Sequence, residues 1–563
     1  MKFLLHNNPP QSPLRGRAKK SRRVRSILPL PSTGRGIEGE GWEGSVGVPM
    51  AIESPTTLRP LTLTLSPRKG EGTAAARIFS WKFFLPAIAL LVLTGCVRFQ
   101  SRPLAPEKSA AQLESRRLDD AGLKKFFDKN SGHAPAGWPL DKWDLNALTL
   151  AAFYFHPDLA VARAQWQLAN AGVKSAGGRP NPTLSVTPQY NTTTLVPTPW
   201  APAVNFDLPI ETMGKRGKRI AGAEKLSEAA RWNFVSAAWQ IRSGVRAALA
   251  EFSIAQRRLP LLQKQLAAQR EIVRLLQGSF EAGATSRPEL TTAQIALSKL
   301  QLDVSSAEAK SAGARSRLAE AVGVSSAALE GIEFEANTAA QLDRWLPAGE
   351  SMPPNPPAGS QRSNFLTSDA ARHAALLGRA DIRASLADYA AAENNLRLEI
   401  AKQFPDVHLN PGYQYDQGNN KWSLGLSVEL PVFNQNQGSI AESKARRELA
   451  AAKFLQLQAQ VIAQVERAVA GWHSAQSQLK TAAELFDAAE RQQKSIAAQV
   501  QAGAAARIDS AAAEIELNTI RLAQLDSAAQ SQTALGALED ALQSPADAIA
   551  SVIEKISTER KSP

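Results

Sequence analysis

The chain has 563 residues, a net charge of +13, one cysteine and six histidines. One cysteine excludes a disulfide framework and cysteine-based metal clusters. The charge sits unevenly, since residues 1–95 carry +9 and the remainder only +4. That leaves no basic domain for nucleic acid.

In chain order, residues 1–75 are rich in Pro, Gly, Ser and Arg and hold no lasting apolar period. They read as a leader without a fold of its own, upstream of the true start of translation. Residues 76–95 have a basic beginning (Arg77, Lys82) and an apolar run from Phe83 to Val92. Small residues then precede Cys96. This is the layout of a secretory signal with its cleavage site. The run is about half of the ~20 residues that span a bilayer as a helix. "LTGC" resembles the lipobox of bacterial lipoproteins, which implies lipidation of Cys96 and a lipidated linker over 96–144.

From residue 145 the sequence repeats itself. "HPDLAVARA" (156–164) matches "RADIRASLA" (379–387) at an offset of 223, and "NPTLSVTPQY" (181–190) matches "FPDVHLNPGY" (404–413) at the same offset. "NFDLPI" (205–210) matches "SVELPV" (427–432) at 222. "FEAGATSR" (280–287) matches "VQAGAAAR" (500–507) at 220. Matches kept in one order mark two copies of one unit of roughly 180 residues. The first is expected over 145–327 and the second over 365–545. A Pro-rich linker over 328–364 joins them, and a tail covers 546–563.

Each unit reads helix, strand, strand, very long helix, turn, helix. The strand segments 184–190, 204–210, 407–415 and 423–430 alternate apolar and polar residues with the period of a sheet that has two unlike faces. One face carries Leu184, Val186, Phe206, Leu208, Leu409, Leu424 and Leu426. The other carries Ser185, Thr187, Gln189, Asn205, Asp207, His408, Asn410, Gln414, Ser427 and Glu429. An ordinary hairpin pair with one face in water fits this pattern. So does a sheet facing lipid on one side and a water-filled lumen on the other. The helices lack a broad, bulky apolar face to cover four strands, which favours the second. Pro188 and Pro411 argue against central strands where they fall.

Four strands cannot close around a channel, and an open edge in lipid is forbidden, so the barrel is expected to be shared among copies. Three copies supply twelve strands. Trp200 and Trp422 lie beside the hairpin loops, at the expected height of an aromatic girdle.

Residues 217–280 stay helical in character, a rod of roughly 95 Å at ~1.5 Å per residue. Pro260 is expected to kink or interrupt it. Leu290, Ala293, Leu297, Leu300, Val304, Ala307, Ser311, Ala314, Leu318 and Ala321 step by three and four like a coiled coil. Gly283 and Gly503 each separate two such helices, as hairpin turns. The basic "GKRGKR" (214–219) reads as a helix start near the membrane, within reach of lipid phosphates.

These features together resemble the TolC-like outer-membrane efflux proteins, in their lipoprotein branch. They are the duplication, "NPTLSV", the "LPI" and "LPV" strand ends and the two "AG" turns. "LPIETMGKRGKR" is similar to the heavy-metal efflux outer-membrane subunits. The resemblance covers nearly all of 145–545. It implies a mainly α fold with a four-stranded β contribution: a long α-helical coiled-coil barrel plus a shared transmembrane β-barrel. It also implies a homotrimer in the outer membrane that extends into the periplasm. Hairpin tips at Phe280, Gly283, Ser286, Leu290, Val500, Gly503 and Ile508 would meet a periplasmic adaptor protein coupled to an inner-membrane pump. Ala506 stands where the first copy has Ser286, which argues against a hydroxyl-specific contact. The expected function is the exit duct of a tripartite efflux system for small molecules or metal ions. The alternative is a lipid-anchored periplasmic coiled-coil scaffold or adaptor without a pore. No convergent catalytic set, resident metal site or cofactor motif stands out, so an enzyme is not expected.

Overall fold

The computed structural model describes residues 99–130, 137–192, 198–335 and 368–543. The leader, the signal segment, Cys96 and the Pro-rich stretch of the linker lie outside the described residues. From Ser101 onward the chain forms one unit.

Two short helices, α1 (Pro106–Glu114) and α2 (Ala121–Asn130), precede the duplicated part. The first copy holds α3 (Leu145–Phe155), α4 (Pro157–Ala176), β2 (Thr183–Thr187), β3 (Ala203–Ile210), α5 (Lys215–Glu281) and α6 (Arg287–Val322). The second holds α7 (Ser368–Gly378), α8 (Ala380–Ala401), β5 (Val407–Asp416), β6 (Asn419–Val428), α9 (Gln437–Gln501) and α10 (Arg507–Leu542). Two-residue strands β1 (Lys142–Trp143) and β4 (Glu333–Phe334) pair in parallel beside the first copy.

The long helices are the frame. At ~1.5 Å per residue, the 67 residues of α5 span roughly 100 Å and the 65 of α9 nearly as much. Toward the sheet, α4 packs on α5, α5 on α8 and α8 on α9. Toward the tips, α6 packs on α5, α5 on α10 and α10 on α9. The layer is one helix thick. Its largest core lies midway, where Trp143, Leu148, Phe234, Val245, Phe252, Leu318 and Val322 are buried among α3, α5, α6 and β1. Below it the seams are built from small and medium residues, such as Leu262, Leu266, Val304 and Ala307. This suits close helix approach at heptad spacing.

Pro260 neither ends nor interrupts α5, which is continuous through it. Packing decides this. Phe252 on one side and Leu262 and Leu266 on the other are buried against neighbouring helices, and that holds the rod together where one backbone donor is missing.

The four-stranded sheet runs β2-β3-β5-β6, antiparallel throughout. Pro411 lies inside the central strand β5, opposite Leu424 of β6. The expectation that proline excludes a central strand fails for a local reason. The β3–β5 ladder pairs Asn205 with Gly412 and Leu208 with Leu409 but breaks between them, where Pro411 has no donor to give. The β5–β6 side stays fully paired. Pro188 falls just past the end of β2. No described helix is long and apolar enough to cross a membrane.

Candidate functional site

The sheet sorts its residues by face. In an antiparallel pair, directly opposed residues point the same way. Ser185 opposes Asn205, which opposes Gly412, and His408 opposes Ser427 while Asn410 opposes Gly425. Leu184 opposes Phe206, and Leu208 opposes Leu409, which opposes Leu426.

On the polar face, His408 Nδ1 lies 3.0 Å from Asp207 Oδ1, and Asn410 Nδ2 donates to Ser427 Oγ at 2.9 Å. The structure thus brings Ser185, Asn205, Asp207, His408, Asn410 and Ser427 together. Thr187 and Gln414 sit toward the hairpin loops. Gln189 and Glu429 lie just beyond the paired ends of β2 and β6.

On the apolar face, no described helix covers the side chains. Trp422, Leu424 and Leu426 are 82%, 74% and 69% exposed, and Val186 is 63% exposed. Near the hairpin loops, Tyr190 and Trp200 meet edge-on with ring centroids 5.0 Å apart, and Tyr413 and Trp422 meet at a tilt with centroids 4.9 Å apart.

At the other end, the two helical hairpins close with the same turn. Gly283 and Gly503 have φ of 75° and 73°. Ala284 N donates to Ser279 O and Ala504 N to Gln499 O, both at 2.8 Å, the six-residue closure of a glycine-ended helix. A Cβ added at either glycine would meet nothing within 4 Å, so the requirement is purely one of backbone. Gly283→Ala is therefore expected to cost about 1 kcal/mol and Gly283→Asn less, read as thermal unfolding.

Of the tip residues, Phe280, Leu290 and Ile508 join one cluster with Leu276 and Ala293, so they lock the two hairpin ends together. Gly283, Ser286 and Gly503 are exposed, and Val500 is half-buried. The Ser286 side chain makes no cap hydrogen bond.

The basic stretch after β3 opens α5, as expected, and most of its cations are used inside the protein. Lys215 is buried, and its Nζ reaches Asp406 Oδ1 at 2.8 Å and Phe404 O at 2.7 Å. Arg216 donates to Gly177 O at 2.8 Å. Arg219 donates to Ala176 O, Gly178 O and the Glu211 carboxylate at 2.7–2.9 Å. Arg216 and Arg219 satisfy the orphan carbonyls at the C-terminus of α4, and Lys215 binds the Phe404 carbonyl just past α8; the three weld sheet to helices, so they are not offered to lipid phosphates. Sequence reasoning missed this because the acceptors are far along the chain: backbone carbonyls about forty residues upstream for the two arginines, and Phe404 O and Asp406 about 190 residues downstream for Lys215.

Burial alone would raise the Asp406 carboxyl. The hydrogen bonds from Lys215 and Thr212 outweigh it and hold the carboxyl below its ordinary range. A depressed carboxyl contributes stability above its unfolded pKa of ~4 and loses it as pH falls through the folded value. Asp406→Asn should therefore flatten the loss of stability below about pH 4. The effect should stay within about 1 kcal/mol, because the side chain is 34% exposed. Thermal unfolding across pH 3–7 checks it.

Midway, a charged cluster ties the two copies together. Arg242 is 1% exposed and donates to Glu539 Oε2 at 3.1 Å. Arg246 reaches the same oxygen at 2.8 Å and Asp540 Oδ2 at 2.6 Å. An open cleft of about 660 Å³ beside it is lined by Trp239, Ser243, Arg379, Asp381, Gln464 and Asp540. Arg379 is occupied with Asp381 and the Ala541 carbonyl. Among the described residues no group of three or more His, Cys, Asp or Glu could hold a metal ion.

The sequence model of the outer membrane efflux protein family matches residues 154–324 and 371–543, one span per copy. The cobalt-zinc-cadmium resistance protein CzcC of Cupriavidus metallidurans is 24% identical over 314 residues, which is 55% of this chain and 68% of the relative. The fold is similar to that of the outer membrane protein VceC of Vibrio cholerae (TM-score 0.55, 20% identity, 71% of this chain and 95% of that one). It is also similar to the open MtrE outer membrane channel of Neisseria gonorrhoeae (TM-score 0.53, 17% identity, 71% and 88%).

Proposed function

Because this chain belongs to the outer membrane efflux protein family, we propose that it is the exit duct of a tripartite efflux system, working as a homotrimer in the outer membrane. The observation that carries this reading is the bare apolar face of the sheet. A soluble scaffold would have to leave Leu424, Leu426 and Trp422 in water, whereas a lipid-facing wall places them in hydrocarbon. The opposite face, with Asp207, His408 and Asn410, then lines an aqueous lumen.

Copy number follows from strand arithmetic. About eight strands give a barrel filled by side chains, and twelve leave a channel, so three copies are the smallest number that conducts. Four alternating strands per copy also leave β6 antiparallel to the β2 of a neighbour.

The helices point the same way. The free flank of α4 and α6 exposes Val161, Leu168, Ile295 and Leu302, and the free flank of α9 exposes Leu449, Leu455 and Leu485. Ile295, Leu302 and Leu485 lie roughly 12–24 Å above the tips at ~1.5 Å per residue. Leu302 and Leu485 are therefore nearly level across a subunit boundary, with Ile295 about 10 Å nearer the tips.

The exposed tips at Gly283, Ser286 and Gly503 are the surface for a periplasmic adaptor, which couples the duct to an inner-membrane pump. Phe280, Leu290, Val500 and Ile508 hold that surface in shape. Cys96 would anchor the chain to the inner leaflet. The likeness to CzcC favours divalent metal cations as cargo.

The test has two parts. Outer-membrane fractions should yield a heat-modifiable trimer that forms ion-conducting pores in planar bilayers. Deleting the protein should sensitise cells to cobalt, zinc or cadmium salts. Release of a monomer by a mild salt wash would refute the duct and favour the scaffold.

A further inference from the structure

Resting on the trimeric reading above, we infer that neighbouring subunits join their sheets in one particular register, in which Leu430 of β6's extension faces Val186 of the next copy's β2. The argument is internal to the chain. The first copy's second strand, β3, pairs with the second copy's first strand, β5, and that pairing is visible. Leu208 opposes Leu409, Ile210 opposes Val407, and Asn205 opposes Gly412. A closed ring of alternating copies needs the reciprocal pairing, β6 with the next β2. Within one chain it is missing, because β2 and β6 are the free edges.

The sequence offsets convert the first pairing into the second. "NFDLPI" maps onto "SVELPV" by adding 222, and "FPDVHLNPGY" maps onto "NPTLSVTPQY" by subtracting 223. Leu208–Leu409 becomes Leu430–Val186, Ile210–Val407 becomes Val432–Leu184, and Val204–Tyr413 becomes Leu426–Tyr190. Asn205–Gly412 becomes Ser427–Gln189.

Three features fit this register. Each mapped pair joins like with like. Leu430, Val432 and Leu426 meet Val186, Leu184 and Tyr190 on the apolar face, while Ser427 and Glu429 meet Gln189 and Thr187 on the polar face. A slip by one residue would reverse every face. The residues it recruits are also the ones left over. Leu430 and Val432 continue the apolar alternation of β6 past its last paired residue and are 73% and 69% exposed, and Leu184 is 61% exposed. Gln189 and Glu429, stranded beyond the described strand ends, become paired lining residues. Finally, Pro188 falls opposite Val428, as Pro411 falls opposite Phe206. The one gap in the visible ladder is thereby reproduced with its cause.

The seam therefore lies about four residues farther toward the helices than if β2 simply paired alongside the described end of β6. That competing arrangement puts Val186 opposite Leu426.

Paired cysteines test it. V186C is combined in turn with L424C, L426C, V428C, L430C and V432C, and outer membranes carrying each protein are mildly oxidised. The parent with its own Cys96 gives the background. We expect disulfide-linked oligomers on a non-reducing gel to peak at L430C, at least five-fold above L426C. Each single variant alone should stay at background. A peak at L426C or at any other position overturns the register. Absence of cross-links in every combination, with the trimer still intact by gel mobility, overturns the β2–β6 seam. A parent protein that runs as a monomer overturns the trimeric reading itself, and the seam falls with it.

Discussion

Leu426→Arg should abolish the membrane-embedded form, while Ser427→Arg, one residue away, should leave it nearly intact. Leu426 sits on β6, two residues before its end at Val428 and in mid-strand once the extension to Val432 inferred above is counted, opposite Leu409, with its side chain on the uncovered apolar face. A charged residue on the lipid face of a barrel costs ~2–4 kcal/mol at mid-depth. In a trimer the cost is incurred three times, so the total is roughly 6–12 kcal/mol, comparable to a whole domain's folding stability. Ser427 points the other way, beside His408 and within reach of Asn410. A cation there replaces a hydroxyl in water, and its effect should fall on conductance and ion preference instead of assembly. The measurement is the yield of heat-modifiable trimer in isolated outer membranes, with total expression as reference. Equal loss for both variants would mean that neither face is wet, and would return the sheet to the interior of a soluble protein.

The contrast between those two neighbours was already legible in the alternation of the strand sequences, because a strand's period of two transmits directly to its faces. The hairpin turns were legible for a similar reason. Gly283 and Gly503 are the residues whose backbone no side chain tolerates well, and they stand in matching places. What the sequence hid is whatever depends on partners far along the chain. Lys215, Arg216 and Arg219 look like a membrane-facing basic patch until their acceptors are seen to be carbonyls of Phe404, Gly177 and Ala176. Pro260 and Pro411 carry a local penalty that is real, yet packing overrides the first and a single ladder gap absorbs the second. The pairs Lys142–Glu333 and Trp143–Phe334 form strands too short to show any period. Arg242 sits in the long helix α5, and nothing near it in the sequence announces a carboxylate from the last helix.

That buried arginine carries the second large expectation. Glu539→Ala should destabilise the protein by about 3 kcal/mol. Arg242 is 1% exposed, so the charge cannot turn to solvent when its carboxylate is removed. Breaking a buried pair from one side costs ~3–5 kcal/mol. The lower end applies here because the Trp239 ring lies 5.2 Å from the guanidinium and continues to face it. The same deletion also frees Arg246, which still has Asp540 at 2.6 Å and the Gly536 carbonyl at 2.9 Å. The double variant Arg242→Met with Glu539→Leu should recover most of the loss, since two apolar side chains of similar volume bury no unpaired charge. The cycle built from Arg242→Met, Glu539→Leu and their combination is strongly non-additive, with a coupling of roughly 2 kcal/mol between residues that touch. Denaturant unfolding of the detergent-solubilised protein checks Glu539→Ala and the cycle. Because α5 belongs to the first copy and α10 to the second, Glu539→Ala should also raise proteolysis at the inter-copy seam before it affects the tips. There Leu276, Leu290 and Ile508 hold the hairpins mainly by apolar contact. Additive single and double variants would mean that this ion pair does not clamp the two copies together.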